Sequence, residues 1–168
     1  MEIIDNFLSN QDFKILEKTI LGNSFPFYFN PYILNPNEKV NLSDINFTHM
    51  VYEGKGWHKE RGIMSSFYDL IYKTFIIKFK INTLHRVKVN CYPRTSRNIT
   101  HKFHVDSNFS HKGALLSLNT CNGSTKIKGH RRVKSIANRL IVFDPSILHA
   151  SESCTNQKCR WNIIINYS

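Results

Sequence analysis

Hydrophobic residues follow two different periods along this chain. In the first half, Phe13, Leu16 and Ile20 recur at the three- to four-residue spacing of a helix, and Ser9 stands before them as an N-cap. The same spacing returns between residues 65 and 75. We therefore predict helices over residues 9–21 and 65–75, joined by an aromatic- and Asn-rich segment that contains a short strand near residues 47–52.

In the second half, the period shortens to the two-residue alternation of β-strands. Turn signals such as Asn122-Gly123 and Asp144-Pro145 separate the segments. The predicted strands cover residues 86–92, 114–119, 140–143 and 160–167. Helices first and short strands afterwards favour a mainly β sandwich or small barrel with helices packed outside it. We predict a single domain over 1–168, with 1–84 as helical and irregular support and 85–168 as the β core that carries the motifs.

Length and composition narrow the class of protein. The chain has 168 residues, enough to bury a core without disulfides or structural metals. It contains no apolar run of the roughly 18 residues that a membrane span needs, and its first residues lack the basic region of a secretion signal. We expect a cytoplasmic protein without membrane partners. The four cysteines show no C-x-x-C spacing and are interpreted as reduced thiols without a role in the chemistry.

The net charge of +11 is concentrated in the second half of the chain. Residues 85–168 carry fourteen Lys and Arg against three acidic residues, whereas the first half is balanced. The densest cluster is Lys126–Lys134, which contains Lys126, Lys128, Arg131, Arg132 and Lys134. The cluster either contacts the phosphates of a nucleic acid or forms a solvated strand edge that discourages aggregation. The sequence leaves both interpretations open.

His104-Val105-Asp106 is the main indication of chemistry. In an extended segment, residues i and i+2 face the same side, so both side chains can bind one ion. His149 follows a predicted strand and a proline turn and is the best candidate for a third ligand. Two imidazoles and one carboxylate form the facial triad of non-haem Fe(II) oxygenases, which leaves coordination positions for a co-substrate and O2. H-x-D alone is weak evidence, because it is common by chance.

Two predicted strands near this motif carry polar side chains on one face. In the last strand, alternation places Arg160, Asn162 and Asn166 together with Ile164, and upstream Asn90 and Tyr92 share a face. A polar strand face inside a β domain needs a polar occupant. A dicarboxylate such as 2-oxoglutarate would supply one, with Arg160 binding its distal carboxylate in a bidentate manner.

The other histidines are interpreted differently. His101 forms H-x-x-H with His104, but the segment has strand character and no glutamate stands where a metalloprotease base belongs, so we reject a zinc pair. The remaining histidines are expected on the surface or packed in the core, with His111 also considered for the mouth of the site. They are His49, His58, His85, His111 and His130.

The ordered set of Asn90-x-Tyr92, His104-x-Asp106, His149 and Arg160 resembles the 2-oxoglutarate/Fe(II) dioxygenase superfamily. The nearest likeness is to small oxygenases of bacteriophages, which would place the protein in a bacterium or a phage-infected host, and it extends to segments such as 4–8 and 135–140. The resemblance implies a double-stranded β-helix of the jelly-roll or cupin-like type. It also implies Fe(II), 2-oxoglutarate and O2 as cofactors, His104, Asp106 and His149 as iron ligands and Arg160 as the 2-oxoglutarate anchor.

Further contacts to the co-substrate are implied for Tyr92 and Asn90, with Asn162 as another candidate. The activity implied is hydroxylation of an unactivated C–H bond, coupled to decarboxylation of 2-oxoglutarate to succinate. Prolyl hydroxylases usually carry Lys at the anchor position, and alkylated-nucleobase demethylases carry a second Arg where this chain has Asn166. We expect a protein or peptide substrate, with a nucleobase of DNA or RNA as the alternative. A non-catalytic, basic nucleic-acid-binding β domain is the third possibility, and the sequence leaves the oligomeric state open.

Overall fold

Two β-sheets and two helices make up the part of the chain that the computed structural model describes, which is residues 1–30, 45–54, 57 and 61–168. The helices are α1 (Asn10–Ile20) and α2 (Tyr68–Thr74), and a 3-10 turn at Ile76–Lys78 follows α2. The strands are β1 (Glu2–Ile4), β2 (Tyr28–Asn30), β3 (Asn46–Glu53), β4 (Gly62–Ile63), β5 (Leu84–Pro93), β6 (Lys112–Ser117), β7 (Ser124–Ile127), β8 (Val133–Lys134), β9 (Leu140–Phe143), β10 (His149–Glu152) and β11 (Cys159–Tyr167).

The larger sheet has the strand order β1-β9-β6-β11-β5-β3-β2, with β4 paired to β3. The smaller sheet has the order β10-β7-β8. All strand pairs are antiparallel. Apart from β2–β3 and β3–β4, the paired strands of the larger sheet are not consecutive in sequence, so most of this sheet is assembled by crossovers rather than by simple hairpins.

Apolar side chains cover both faces of the larger sheet. One face packs against the helices, where Leu16, Ile71 and Phe75 meet Ile163 and Ile165 in the main core. On the other face, a smaller apolar cluster lies between the sheets, with Leu115, Ile141 and Ile164 from the larger sheet and Ile127 and Val133 from the smaller one. The alternation of β11 therefore divides its side chains between two environments, as the sequence predicts.

The predicted elements agree well with this architecture. Ser9 caps α1 by accepting a hydrogen bond from the Asp12 amide at 3.1 Å. The second helix is shorter than predicted and ends in the 3-10 turn. The cluster at 126–134 forms the β7–β8 hairpin. Of the aromatic and histidine residues considered above, His58 lies outside the described residues.

One local prediction is wrong. Residues 104–106 do not form a strand: His104 makes a single antiparallel bridge to His149, and Asp106 lies in a bend. Backbone hydrogen bonds hold both residues nonetheless, because His104 and His149 exchange two N–H···O bonds of 2.9 Å and the Asp106 amide donates to the Pro145 carbonyl. The segment is pinned to the start of β10 without being a regular strand.

The register between β5 and β11 positions the site. Arg160 lies opposite Tyr92, Asn162 opposite Asn90, and Asn166 opposite Arg86. Side chains directly opposite each other in antiparallel strands point to the same face, so the polar positions of both strands project together toward the smaller sheet. None of the helices in the described residues has the length and apolar character that a membrane crossing requires.

Candidate active site

His104, Asp106 and His149 come together between the two sheets. One ligand atom from each residue lies within 4.8 Å of the other two. Asp106 Oδ1 is 3.7 Å from His104 Nε2 and 3.8 Å from His149 Nε2. Ligand atoms that each lie roughly 2.1 Å from one ion are roughly 3–4 Å apart, so the cluster can bind a single metal ion with little adjustment.

The backbone fixes the orientation of both histidine rings. His104 Nδ1 lies 3.2 Å from the Lys102 carbonyl, and His149 Nδ1 lies 2.9 Å from the Ile147 carbonyl. A carbonyl can only accept, so each Nδ1 carries the proton and each Nε2 presents a lone pair. This is the arrangement that metal-binding histidines use, and it leaves both Nε2 atoms facing Asp106.

The second oxygen of Asp106 is held by a buried polar network. Arg86 Nη2 donates to Asp106 Oδ2 at 2.7 Å, and Asn166 Nδ2 donates to the same oxygen at 3.1 Å. Arg86 Nε also donates to Asn166 Oδ1, while Asn166 Nδ2 lies 2.9 Å from His111 Nε2. Oδ2 is thereby occupied and Oδ1 is left for a metal ion. His111 is buried in this network behind Asp106, not at the mouth of the site.

Electrostatics favour the metal-binding protonation states of Asp106 and His104. Burial raises the pKa of Asp106, but the electrostatic effects of Arg86, followed by His149 and Lys88, outweigh burial and hold the pKa well below its usual range. Burial and the neighbouring His149 lower the pKa of His104 to about 4, against the opposing effect of Asp106. At neutral pH the site therefore presents a carboxylate and a neutral imidazole.

Arg160 is the largest fully buried side chain of the described residues, with 1% exposure. Its Nη2 donates to Thr125 Oγ1 at 2.7 Å, but Nε and Nη1 have no hydrogen-bond partner in the described structure. Leaving a buried cation incompletely paired costs free energy. A bidentate anion is the partner that a guanidinium fits best, so these unpaired N–H groups match a carboxylate of 2-oxoglutarate.

The neighbours of Arg160 can complete such a co-substrate site. The Tyr92 ring lies 5.5 Å from the Arg160 guanidinium carbon, and burial raises the pKa of Tyr92, so its hydroxyl stays protonated as a donor. Asn90 Nδ2 donates to Asn162 Oδ1 at 2.9 Å, whereas Asn162 Nδ2 is buried and has no hydrogen-bond partner in the part of the chain that the structure describes. Asn162 is thus the better placed donor of this amide pair.

Gly123 makes room for the Arg160 side chain. A Cβ atom at this position would lie 2.8 Å from Arg160 Cδ and 2.9 Å from the Glu152 carbonyl oxygen. Sequence reasoning assigned Gly123 only to a turn. The turn and the anchor are linked, because the hydrogen atom of this glycine permits the guanidinium to reach its buried position.

Three functional candidates were missed from the sequence, namely Arg86, Lys88 and the network role of Asn166. The signal was present, since Arg86 and Lys88 alternate with Asn90 and Tyr92 along β5 and share their face. Arg86 and Lys88 both line the cavity that contains the three candidate metal ligands. The alternation of β5, followed back from Asn90, places Lys88 and then Arg86 on the same face as Asn90 and Tyr92.

We expect Arg86→Met to weaken Fe(II) binding by about 10–100-fold, the usual effect of removing a residue that orients a metal ligand. The substitution removes the shorter of the two hydrogen bonds to Asp106 Oδ2 and the hydrogen bond from Arg86 Nε to Asn166 Oδ1. Titration of the metal-free protein with Fe(II) measures the effect, and Arg94→Met serves as a control arginine on the surface. Unchanged affinity would show that Asp106 is held sufficiently without Arg86.

His101 provides a pH-dependent contribution to stability. It is 3% exposed, stacks on Tyr92 and pairs with Ser151 Oγ at 2.7 Å. Burial, followed by the charges of Arg160 and His104, lowers its pKa to about 4. The unfolded chain therefore binds the proton first, and stability is lost as the pH falls from about 6.5 to 4, by on the order of 3 kcal/mol.

Urea unfolding of the metal-free protein at pH 7 and pH 4 checks this expectation. The difference in unfolding free energy between the two pH values should shrink by about that amount in His101→Gln. An equal difference in both proteins would assign the pH dependence to other groups. His130→Gln, at an exposed position in the β7–β8 hairpin, is the control and should leave the difference unchanged.

Comparison with known proteins supports the fold. Neither protein-family models nor curated proteins match the sequence. Among solved structures, a prolyl hydroxylase from Trichoplax adhaerens in complex with a hypoxia inducible factor peptide fragment is similar over 99% of this chain and 82% of that chain, at 20% identity and a TM-score of 0.63. A Pseudomonas putida prolyl-4-hydroxylase is similar at 13% identity and a TM-score of 0.60, over 99% and 91% of the two chains.

A viral collagen prolyl hydroxylase from Paramecium Bursaria Chlorella virus-1, solved with 2-oxoglutarate, is similar at 16% identity and a TM-score of 0.59, over 98% and 93% of the two chains. At these identities the likeness establishes the fold. The chain shares the double-stranded β-helix fold of these structures, which confirms the predicted fold class.

Proposed function

We propose that this protein is an Fe(II)- and 2-oxoglutarate-dependent oxygenase that hydroxylates an unactivated C–H bond of a protein or peptide. The observation that carries the proposal is that two groups occur between the same two sheets: a His-Asp-His cluster, and a buried arginine with two nitrogen atoms that have no hydrogen-bond partner among the described residues. The similarity in fold to prolyl hydroxylases, one of them solved with a peptide, supports the substrate class.

The residues have separate roles in this proposal. His104, Asp106 and His149 would hold Fe(II) through Nε2, Oδ1 and Nε2. Arg160 would bind the distal carboxylate of 2-oxoglutarate, with donors from Tyr92 and Asn162. Once bound, these cofactors supply the oxidising power for C–H hydroxylation, and the protein contributes orientation and exclusion of water.

The test is an assay of labelled succinate formed from 2-oxoglutarate, with Fe(II), O2 and a library of synthetic peptides. We expect a basal rate without peptide and a higher rate with a substrate peptide, which should gain one oxygen atom in its mass spectrum. A protein that binds neither Fe(II) nor 2-oxoglutarate would instead support the non-catalytic β domain.

A nucleobase of DNA or RNA is the second candidate substrate, favoured by the basic second half of the chain. The structure limits this candidate, because two of the five cations in the 126–134 cluster already have a partner. Lys126 Nζ lies 3.5 Å from Glu152 Oε1, and Arg132 Nη2 lies 2.6 Å from Glu152 Oε2. Glu152 is buried, and Arg132 also donates to Ser124 Oγ. These two cations stabilise the smaller sheet, which leaves Lys128, Arg131 and Lys134 exposed.

If the cluster binds nucleic acid, neutralising Lys128, Arg131 and Lys134 together should reduce the log–log salt slope of binding by about two to three. The reason is that each lost phosphate contact releases about one counterion fewer. Titration of labelled single-stranded DNA and RNA between about 50 and 200 mM salt measures the slope.

Exposed lysines on the helices provide the matched control, namely Lys14, Lys18 and Lys73. Neutralising them should leave the slope unchanged. Weak binding that varies little with salt in the unmodified protein would remove the nucleic-acid candidate. The rate of 2-oxoglutarate turnover without substrate should be the same in both triple variants.

A further inference from the structure

Lys88 is a cationic side chain inside the cavity that neither the metal cluster nor the 2-oxoglutarate anchor uses. It lies on β5 between Arg86 and Asn90, opposite Ile164 of β11, and projects from the polar face. It lines the same cavity as His104, Asp106 and His149. Its charge lies close enough to act on the protonation of both His104 and Asp106.

Within the described residues, Lys88 differs from its cationic neighbours because it has no hydrogen bond or ion pair. Arg86 donates to Asp106, and Arg160 donates to Thr125. Lys88 is only partly exposed, so water solvates it incompletely. Burial, followed by repulsion from Arg86, lowers its pKa to about 8 against the attraction of Asp106, so the side chain remains mostly charged at neutral pH. A partly desolvated ammonium group favours an anionic partner.

The charges of the proposed cofactors do not provide that partner. Fe(II), Arg86, Lys88 and Arg160 would together bring five positive charges, against three negative charges from Asp106 and the two carboxylates of 2-oxoglutarate. Arg86 pairs directly with Asp106, and the distal carboxylate would pair with Arg160, which has two nitrogen atoms without a hydrogen-bond partner among the described residues. The other carboxylate would then balance only part of the charge of Fe(II). The site would therefore keep an excess of positive charge after the co-substrate has bound, and Lys88 is the cationic side chain there that has no paired group among the described residues.

We propose that Lys88 binds a carboxylate of the substrate next to the metal, so that the enzyme selects acidic peptides in which the hydroxylated carbon lies near an aspartate, a glutamate or a C-terminal carboxylate. This inference rests on the proposed function and deepens it. A lysine attracts a carboxylate as a flexible point charge. Because Lys88 lies beside the candidate metal ligands, a substrate carboxylate bound to it would also fix the distance between the substrate and the metal. Lys88 is then a specificity-determining residue.

Difluoroacetate is a suitable probe, because it is a small carboxylate with a fluorine signal. The protein is loaded with Mn(II), which is paramagnetic and stable in air, and with saturating 2-oxoglutarate. The relaxation rate of the fluorine signal then reports a carboxylate that binds close to the metal.

We expect a saturable increase in this relaxation rate in the unmodified protein and in Lys88→Arg. The affinity for difluoroacetate should be at least about tenfold lower in Lys88→Met. Lys73→Met, an exposed lysine of α2, should behave like the unmodified protein.

A parallel titration of 2-oxoglutarate into the Mn(II)-loaded protein separates the possible failures. If 2-oxoglutarate does not bind the unmodified protein, the proposed function is wrong, and this inference with it. If 2-oxoglutarate binds but difluoroacetate shows no saturable increase in relaxation rate, Lys88 does not bind a carboxylate. The same conclusion follows if Lys88→Met retains this increase with unchanged affinity. If Lys88→Met loses affinity for 2-oxoglutarate and for difluoroacetate to the same extent, Lys88 belongs to the co-substrate site. Tighter binding of methylphosphonate than of difluoroacetate, measured by phosphorus relaxation, would overturn the choice of a carboxylate.

Discussion

Replacing His149 by Ala should abolish Fe(II) binding and turnover while the fold persists. In the proposed site the imidazole would be one of three protein ligands, and a facial triad has no fourth side chain to replace it. Residue 149 begins β10, where its backbone bonds with His104 do not depend on the side chain. Iron content after anaerobic reconstitution, the succinate assay and thermal unfolding measure the three parts of this expectation.

Other ligand variants sharpen this test. His104→Ala should have the same effect, whereas Asp106→Asn keeps an oxygen acceptor for Arg86 but removes the negative charge that the metal needs. His130→Ala, in the exposed β7–β8 hairpin, is the matched control and should retain full iron content and turnover. If His149→Ala kept both, the third ligand would have to come from elsewhere in the chain, and the proposed site would be wrong.

Much of the fold followed from the sequence, because the alternation of apolar and polar residues determines which face of a strand is buried. The division of β11 between two environments shows this directly: Ile163 and Ile165 enter the main core, while Asn162 lines the cavity and Arg160 is buried on the same strand face as Asn162. Short edge strands such as β1 and β4 escaped prediction. They have two or three residues, too few for a period to be recognised.

The network behind Asp106 could not be predicted from motif spacing, because its members are distant in the chain. Asn166 was read as the absence of the second arginine that nucleobase demethylases carry on this strand. The structure places Arg86 directly across from Asn166, and its guanidinium reaches Asp106. A positive charge is thus present beside Asn166, but β5 supplies it instead of β11. A motif defined by spacing along one strand cannot detect a charge that a neighbouring strand supplies. The missing second arginine therefore does not decide the substrate class, which has to be determined by experiment.

Arg160→Met should raise the KM for 2-oxoglutarate at least about tenfold, because losing one partner of a buried charged pair costs on the order of 2–5 kcal/mol. Binding of Fe(II) should change little, since none of the metal ligands contacts this side chain through a hydrogen bond in the described structure. Arg160→Lys should be partly tolerated, as the resemblance to prolyl hydroxylases with Lys at this position implies. Arg139→Met, which removes a surface pair with Asp5, is the control, and an unchanged KM in Arg160→Met would place the anchor elsewhere.

Gly123→Ala should reproduce part of this effect without altering any charged group. The added Cβ would lie 2.8 Å from Arg160 Cδ, and the Glu152 and Ser153 carbonyl oxygens, at 2.9 and 3.0 Å, leave it no space to move away. The flexible guanidinium chain must therefore shift, and its bonds to Thr125 and to the co-substrate lengthen. We expect a higher KM for 2-oxoglutarate, an unchanged affinity for Fe(II), and an effect that disappears when Arg160 is already Met. That non-additivity in the double variant distinguishes a displaced anchor from general damage to the fold, because two independent losses would simply add.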